Sequence, residues 1–162
     1  MRTQPLSVVV ALTLALAACA PNAERDEVGP YLQQLQTWAP QEAEAARAVT
    51  RILRTQFVDE AEVRRQVEES LPRVAAQVEA LGAYEPRTAD IRVIHTRYLD
   101  GWRRLLRGYE EILRALDSGE QNGLARGRAA LLSWRDTLRE TADRLQAVGA
   151  TSAPEMEQGP PT

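Results

Sequence analysis

Four stretches of this chain repeat their apolar residues every three or four positions, and no stretch alternates them every second one. The clearest runs through Ile91, Tyr98, Trp102, Leu105, Tyr109, Ile112 and Leu116. An α-helix turns once in about 3.6 residues, so this spacing lines the side chains along one seam; a strand would scatter them over both faces.

The other three stretches follow the same rule. From about Val28 to Phe57, Val28, Tyr31, Leu35, Trp38, Ala45, Val49 and Ile52 form one row, and Leu32, Ala39, Ala46 and Leu53 a second beside it. Two adjacent rows make the wide stripe of a bundle helix. Pro40 interrupts this segment and predicts a kink or a fresh start at Pro40-Gln41-Glu42. The next segment opens on Asp59, a capping residue with Glu62 three positions on, and carries Val63, Val67, Leu71, Val74, Val78 and Leu81 up to Gly82. Pro72 predicts a second kink. The seam through Ile91 belongs to a helix starting near Pro86 and ending at about Leu116. A turn over Asp117–Glu120 leads to a fourth helix, Glu120 to Val148, with Leu124, Leu131, Trp134, Leu138, Leu145 and Val148 on one face and Gly149 closing it.

Short connections make neighbouring helices antiparallel, so residues 28–149 are expected to form an all-α, up-down-up-down four-helix bundle with kinks near Pro40 and Pro72. A three-helix arrangement follows instead if the first segment breaks at Pro40 and its leading half lies loose. Residues 19–27 lack apolar spacing and read as a tether. Residues 150–162, with three prolines and little to bury, read as a disordered tail.

The first eighteen residues have a different character. One positive charge at Arg2 precedes an uncharged run from Leu6 to Ala18, which ends in Leu16-Ala17-Ala18-Cys19. As a helix that run spans only about 20 Å, short of a bilayer's hydrocarbon core. A charged start, an apolar middle and small residues at the end describe a secretory signal. Leu16-Ala17-Ala18-Cys19 resembles the lipobox of bacterial lipoproteins. The resemblance implies removal of residues 1–18, diacylation of Cys19 on sulfur, acylation of the new amine, and lasting attachment to a membrane through those chains. Ala20 follows the cysteine where an aspartate would signal retention. For lipoproteins of two-membrane bacteria this implies the periplasmic leaflet of the outer membrane. Cys19 is the chain's only cysteine, so no intramolecular disulfide is open to it.

Composition narrows the function. The chain carries a formal net charge of −3, one unit more negative once Arg2 is gone, which gives no support for nucleic-acid binding. All its basic residues are arginines. Arginine suits anion recognition, but the codon bias of a GC-rich genome accounts for the pattern as well. His95, the only histidine, falls in the third seam, either as a ligand contact or pH-sensitive group or as a structural residue bonded to a neighbouring helix. Metal binding finds no support. A di-iron bundle needs Glu-x-x-His on two helices, and Arg92 occupies the place of that glutamate. Cys-x-x-Cys-His, the attachment motif for haem, is absent, and outside residues 1–18 the only methionine is Met156. No cofactor is expected.

Arg103 and Arg104 lie near the middle of the third segment beside Trp102. With His95 they are the candidate contacts for a small anion or carboxylate held between helices. Salt bridging on a solvated face, Asp100 with Arg104 and the nearby Arg107 with Glu111, also explains the arginines, and core packing explains Trp38, Trp102 and Trp134. Gly101, Gly108, Gly123 and Gly127 mark either close helix approach or a groove. No nucleophile pair or phosphate-cradling loop is present, and Ser70 and Ser133 have no evident base. The expected function is therefore that of a lipid-anchored, non-enzymatic interaction or accessory module with a protein partner in the cell envelope. The alternative is a small-ligand binding or sensing module. Self-association through an exposed stripe is a third course, and the sequence leaves the oligomeric state open.

Overall fold

The computed structural model describes residues 27–152, with side chains to residue 148. Four α-helices account for nearly all of them: α1, Val28–Arg54; α2, Glu60–Gly82; α3, Ala89–Ser118; and α4, Gln121–Ser152. No strand occurs among the described residues. The expected leader, residues 1–18, and Cys19 lie outside them, as does all but the first part of the expected tail.

Local chemistry sets the helix ends. Asp59 Oδ1 accepts the Glu62 backbone N–H at 3.0 Å and starts α2. The return bond of a capping box does not accompany it, because Arg65 and Gln66 engage the Glu62 carboxylate instead. Gly119 stops α3 in a left-handed conformation, φ 70°, and the Glu120 N–H returns to the Ala115 carbonyl at 3.0 Å. The α1–α2 connection bends through Gln56 and Phe57, which have φ of 51° and 62°. Pro40 and Pro72 both lie inside their helices, and neither ends one. The expected stop at Gly149 is passed, since α4 continues to Ser152.

Neighbouring helices run antiparallel. Arg97 meets Glu140, Arg104 meets Ser133, Glu111 meets Arg126 and Gly123 meets Ala115, so each step along α3 is matched by one backward step along α4. Glycine permits this pairing. A methyl group on Gly101 would stand 2.7 Å from Thr137 Cγ2, one on Gly108 2.7 Å from Ala130 Cβ, and one on Gly127 2.4 Å from Ile112 Cγ1. The four glycines thus serve close α3–α4 approach and leave no groove. The first half of α1 is packed, with Tyr31 and Trp38 buried, so the bundle has four helices and not three.

The core stripes of α1, α3 and α4 follow the expected rows, although Leu32 and Ala39 of the second α1 row are exposed. Helix α2 differs. Its buried residues are Val63, Gln66, Val67, Ser70, Val74, Gln77 and Leu81, while Leu71 and Val78 are only half-buried. The helix is rotated so that a lane of three polar side chains faces inward.

Candidate functional site

An aromatic column runs along the inner face of α3. Tyr31 and Tyr84 stand at its start with ring centroids 5.7 Å apart. Trp38 packs edge-on against Tyr84 at 5.6 Å and lies 5.9 Å from His95 and 6.4 Å from Tyr98. Tyr98 leads to Trp102 at 6.3 Å, and Trp102 to Trp134 at 5.3 Å. The spacings are those of attractive edge-to-face and offset ring pairs. All three tryptophans are buried in this column.

His95 is 4% exposed and has both ring nitrogens engaged. Nε2 lies 3.0 Å from the Leu81 carbonyl of α2. A carbonyl only accepts, so Nε2 carries the proton and Nδ1 accepts from the Tyr31 hydroxyl of α1 at 3.2 Å. Burial pushes the imidazole pKa below its ordinary value, partly opposed by the bond to Leu81. The ring is thus a neutral bridge among three helices.

Glu27 is a polar residue expected in the tether, yet it is 1% exposed. It stands at the N-terminus of α1 and its side chain caps a different helix. The carboxylate accepts the backbone N–H of Arg87 at 2.7 Å and of Thr88 at 2.6 Å, both at the start of α3. Thr88, the residue before α3, makes no side-chain cap of its own. Burial alone would raise the Glu27 pKa. The backbone N–H donors of Arg87 and Thr88 and the charge of Arg87 outweigh it and hold the group below the usual carboxylate range. The helix dipole favours the same sign of charge there.

Close packing is interrupted between α1 and α2. A cleft of about 380 Å³ opens there, lined by Ala45 and Glu44 of α1, by Ser70, Val74, Ala76, Ala80 and Gln77 of α2, and floored by Trp102 of α3. The sequence explains why this seam is loose. Alanines on both helices are too small to fill it, and the inward polar lane of α2 gains little from tight apolar contact. Pro40 and Pro72 immediately precede the lining residues Gln41 and Arg73 in the sequence, and each deprives its helix of one backbone bond. At the mouth Arg73 is bound by Glu44 across the seam and donates to the Glu69 carbonyl at 2.9 Å. Gln77 is 4% exposed, and its Nε2, itself sealed from solvent, has no hydrogen-bond acceptor among the described residues.

The four residues expected to gather around a ligand do not converge. His95 is bound within the aromatic column, and Trp102 floors the cleft. Arg103 and Arg104 point to the outside of α3, where Arg103 pairs with Asp100 at 3.3 Å and Arg104 donates to Ser133 Oγ at 2.7 Å. Among the described residues no cluster of His, Cys, Asp and Glu is placed to hold a metal ion, and no helix is long and apolar enough to cross a membrane. Comparison with family models, curated proteins and solved structures found no match.

Glu27 is not distinguishable in the sequence. Glu27 follows a polar stretch and has no local partner, since its hydrogen-bond donors lie 60 and 61 residues away. Gln77 did leave a trace: Val63, Val67, Ser70, Val74, Gln77 and Leu81 keep a helical spacing as regular as that of the all-apolar row.

Proposed function

We propose that this protein is a lipid-anchored, non-enzymatic helical module of a bacterial cell envelope. It is held at the periplasmic leaflet of the outer membrane by acyl chains on Cys19 and acts as an interaction or accessory protein. The lipobox-like Leu16-Ala17-Ala18-Cys19 supplies the anchor, and the seat of Glu27 is the observation that makes it mechanically effective. Cys19 to Glu27 is eight residue steps, which reach at most about 28 Å when fully extended. Glu27 is clamped to the start of α3, so that end of the bundle stays within this distance of the lipid. Confinement to one surface raises the module's effective concentration toward partners on the same membrane. The commitment of both His95 nitrogens to intramolecular bonds supports a structural role for the one imidazole.

Mass spectrometry of the mature N-terminus tests the anchor. The native protein should begin at an acylated Cys19, and Cys19→Ser should leave an uncleaved precursor. Normal processing of Cys19→Ser would overturn the reading.

A second reading, a small-ligand binding or sensing module, is favoured by the α1–α2 cleft. Its volume falls in the range of small-molecule sites, and it combines apolar walls with a few polar groups.

A further inference from the structure

We infer that the outer face shared by α1 and α4 rests on an anionic phospholipid surface, with its arginines on lipid phosphates and with Leu32 and Leu132 in the headgroup layer. The inference deepens the anchored reading, on which it rests, by naming the surface that the bundle contacts.

Two lanes of side chains define this face. Along α1, Leu32, Gln36, Ala43, Arg47 and Arg54 recur at steps of four and seven, and all are exposed. Along α4, Arg128, Leu132, Arg135 and Arg139 recur at steps of three and four and are exposed as well. The two helices are in contact. Helix α1 turns Ala45 toward α2, and α4 turns Ser133 and Thr137 toward α3, which leaves both lanes looking out over the same side. Acidic residues are scarce there. Residues 45–58 and 121–135 contain none. The carboxylates inside α1 are committed elsewhere, Glu42 to the Tyr98 hydroxyl at 2.6 Å and Glu44 to Arg73. On α4, Asp136 pairs with Arg139 at 2.9 Å, and Asp143 follows the end of the lane. Arg47, Arg54, Arg128 and Arg135 make no hydrogen bond or salt bridge among the described residues. A chain of negative net charge thus presents one side on which arginine prevails.

The occupant follows from what accompanies the charge. Leu32 and Leu132, each 42% exposed, stand in the lanes, and apolar side chains among arginines suit the boundary between headgroups and acyl chains. Guanidinium groups take phosphate oxygens in pairs. From Leu32 to Arg54 the α1 lane runs about 33 Å, with its arginines at separate points, an arrangement that suits phosphates free to rearrange in a leaflet. The lane also begins at the tethered end of the bundle, since Leu32 lies only five residues beyond Glu27.

Two forms of the mature chain provide the test: the acylated protein, and Cys19→Ser made without leader or acyl chains. The vesicles are phosphatidylcholine alone or an equimolar mixture with phosphatidylglycerol. A fluorophore is attached at Gln36→Cys or, on α2 across the bundle, at Glu79→Cys; acylation blocks Cys19, so only the introduced thiol reacts. With a quencher carried on the lipid, the Gln36 position of the acylated protein should be quenched more strongly in the mixed vesicles than in phosphatidylcholine, and the Glu79 position weakly in both. The unacylated chain should sediment with the mixed vesicles despite its negative net charge, and salt should release it. Arg47→Gln together with Arg135→Gln should weaken that binding about twentyfold and remove the effect of phosphatidylglycerol on Gln36 quenching. Arg103→Gln together with Arg107→Gln, the same change in charge at exposed positions of α3, should do neither.

Equal quenching at the two positions, or no gain from phosphatidylglycerol, would overturn the inference. Equal losses in the two arginine pairs would overturn it too, because net charge and not this face would then be acting. If polyglutamate binds the unacylated chain and the mixed vesicles do not, the face belongs to an acidic protein and the lipid assignment is wrong. A native Cys19 free of acyl chains would instead remove the anchored reading, and sedimentation of the unacylated chain would still decide the face.

Discussion

The Glu27 carboxylate accepts the backbone N–H of Thr88 at 2.6 Å across 61 residues of sequence, and so ties the first residue of the bundle to the start of its third helix. Glu27→Ala leaves the N–H groups of Arg87 and Thr88 without their acceptor at a helix start, an expected loss of about 2 kcal/mol. Glu27→Gln should lose less, because an amide oxygen still accepts one of the two bonds. The 3.9 Å approach of Arg87 adds little, since its side chain is largely exposed. Urea unfolding of the three proteins at neutral pH measures both losses. An unchanged midpoint in Glu27→Ala would show that the cap contributes nothing.

The same carboxylate predicts an acid limb. Its folded pKa lies below the ordinary value of 4.5, so its stabilisation is complete above that value and is lost as pH falls through the folded pKa. Wild type and Glu27→Gln should therefore draw closer in stability as pH falls from about 4.5 toward about 3. A constant difference between them down to that pH would count against a lowered pKa.

His95 titrates in a different window. Burial lowers its folded pKa beneath the ordinary 6.5, opposed by the Leu81 bond, so the unfolded chain binds the proton more readily. Stability is then intact above about pH 6.5 and declines below it, levelling off once pH is under the folded pKa. The rings around it, Tyr31 and Tyr84, have raised pKa values, so neither ionises across this range. His95→Gln should flatten the slope between about pH 7.5 and pH 5.5 in urea titrations. A slope that survives the substitution would place its origin in another group.

How much of this could be read beforehand depended on the range of the interactions. Helix existence rests on periodicity within each segment, and the seam from Ile91 to Leu116 is found along α3 with only its last residue half-buried. The Asp59 cap is equally local. Helix α2 was harder because two rows of similar spacing compete. One is all apolar, the other contains Ser70 and Gln77, and packing against α3 buried the second more deeply. The four-residue candidate site dissolved for a simpler reason. His95 and Trp102 are seven positions apart and share the inner face of α3, whereas Arg103 and Arg104 follow Trp102 directly and turn outward. The cleft itself is a relation between α1 and α2, and the prolines and alanines flanking it announced irregularity without locating a cavity.

Glycine spacing along α3 and α4 yields a paired prediction. A methyl on Gly127 would lie 2.4 Å from Ile112 Cγ1 and 3.1 Å from the Gly108 backbone oxygen, so the helices must part to admit it. Gly127→Ala should destabilise the bundle by about 1–3 kcal/mol. Gly29, in the first turn of α1, has nothing among the described residues within 4 Å of the corresponding point. Gly29→Ala should stabilise by about 0.5–1 kcal/mol through helix propensity and the unfolded chain's reduced freedom. Thermal melts of the two variants should move in opposite directions, and a neutral Gly127→Ala would show that α3 and α4 are not in close contact.

The α1–α2 connection stores the bundle's clearest backbone strain. Gln56 has φ of 51° and is exposed, so its side chain gains little packing in return for the left-handed conformation. That conformation costs a non-glycine residue about 1–2 kcal/mol, and glycine avoids the cost while losing somewhat more chain entropy. Gln56→Gly should therefore raise stability by about 0.5 kcal/mol. Phe57 shares the conformation, φ 62°, but its ring packs against the core, so Phe57→Gly should lower stability despite relieving the same strain. Opposite shifts of the urea midpoint in two adjacent residues would separate backbone strain from side-chain burial. A loss of stability in Gln56→Gly would mean that the connection does not hold the left-handed geometry in solution.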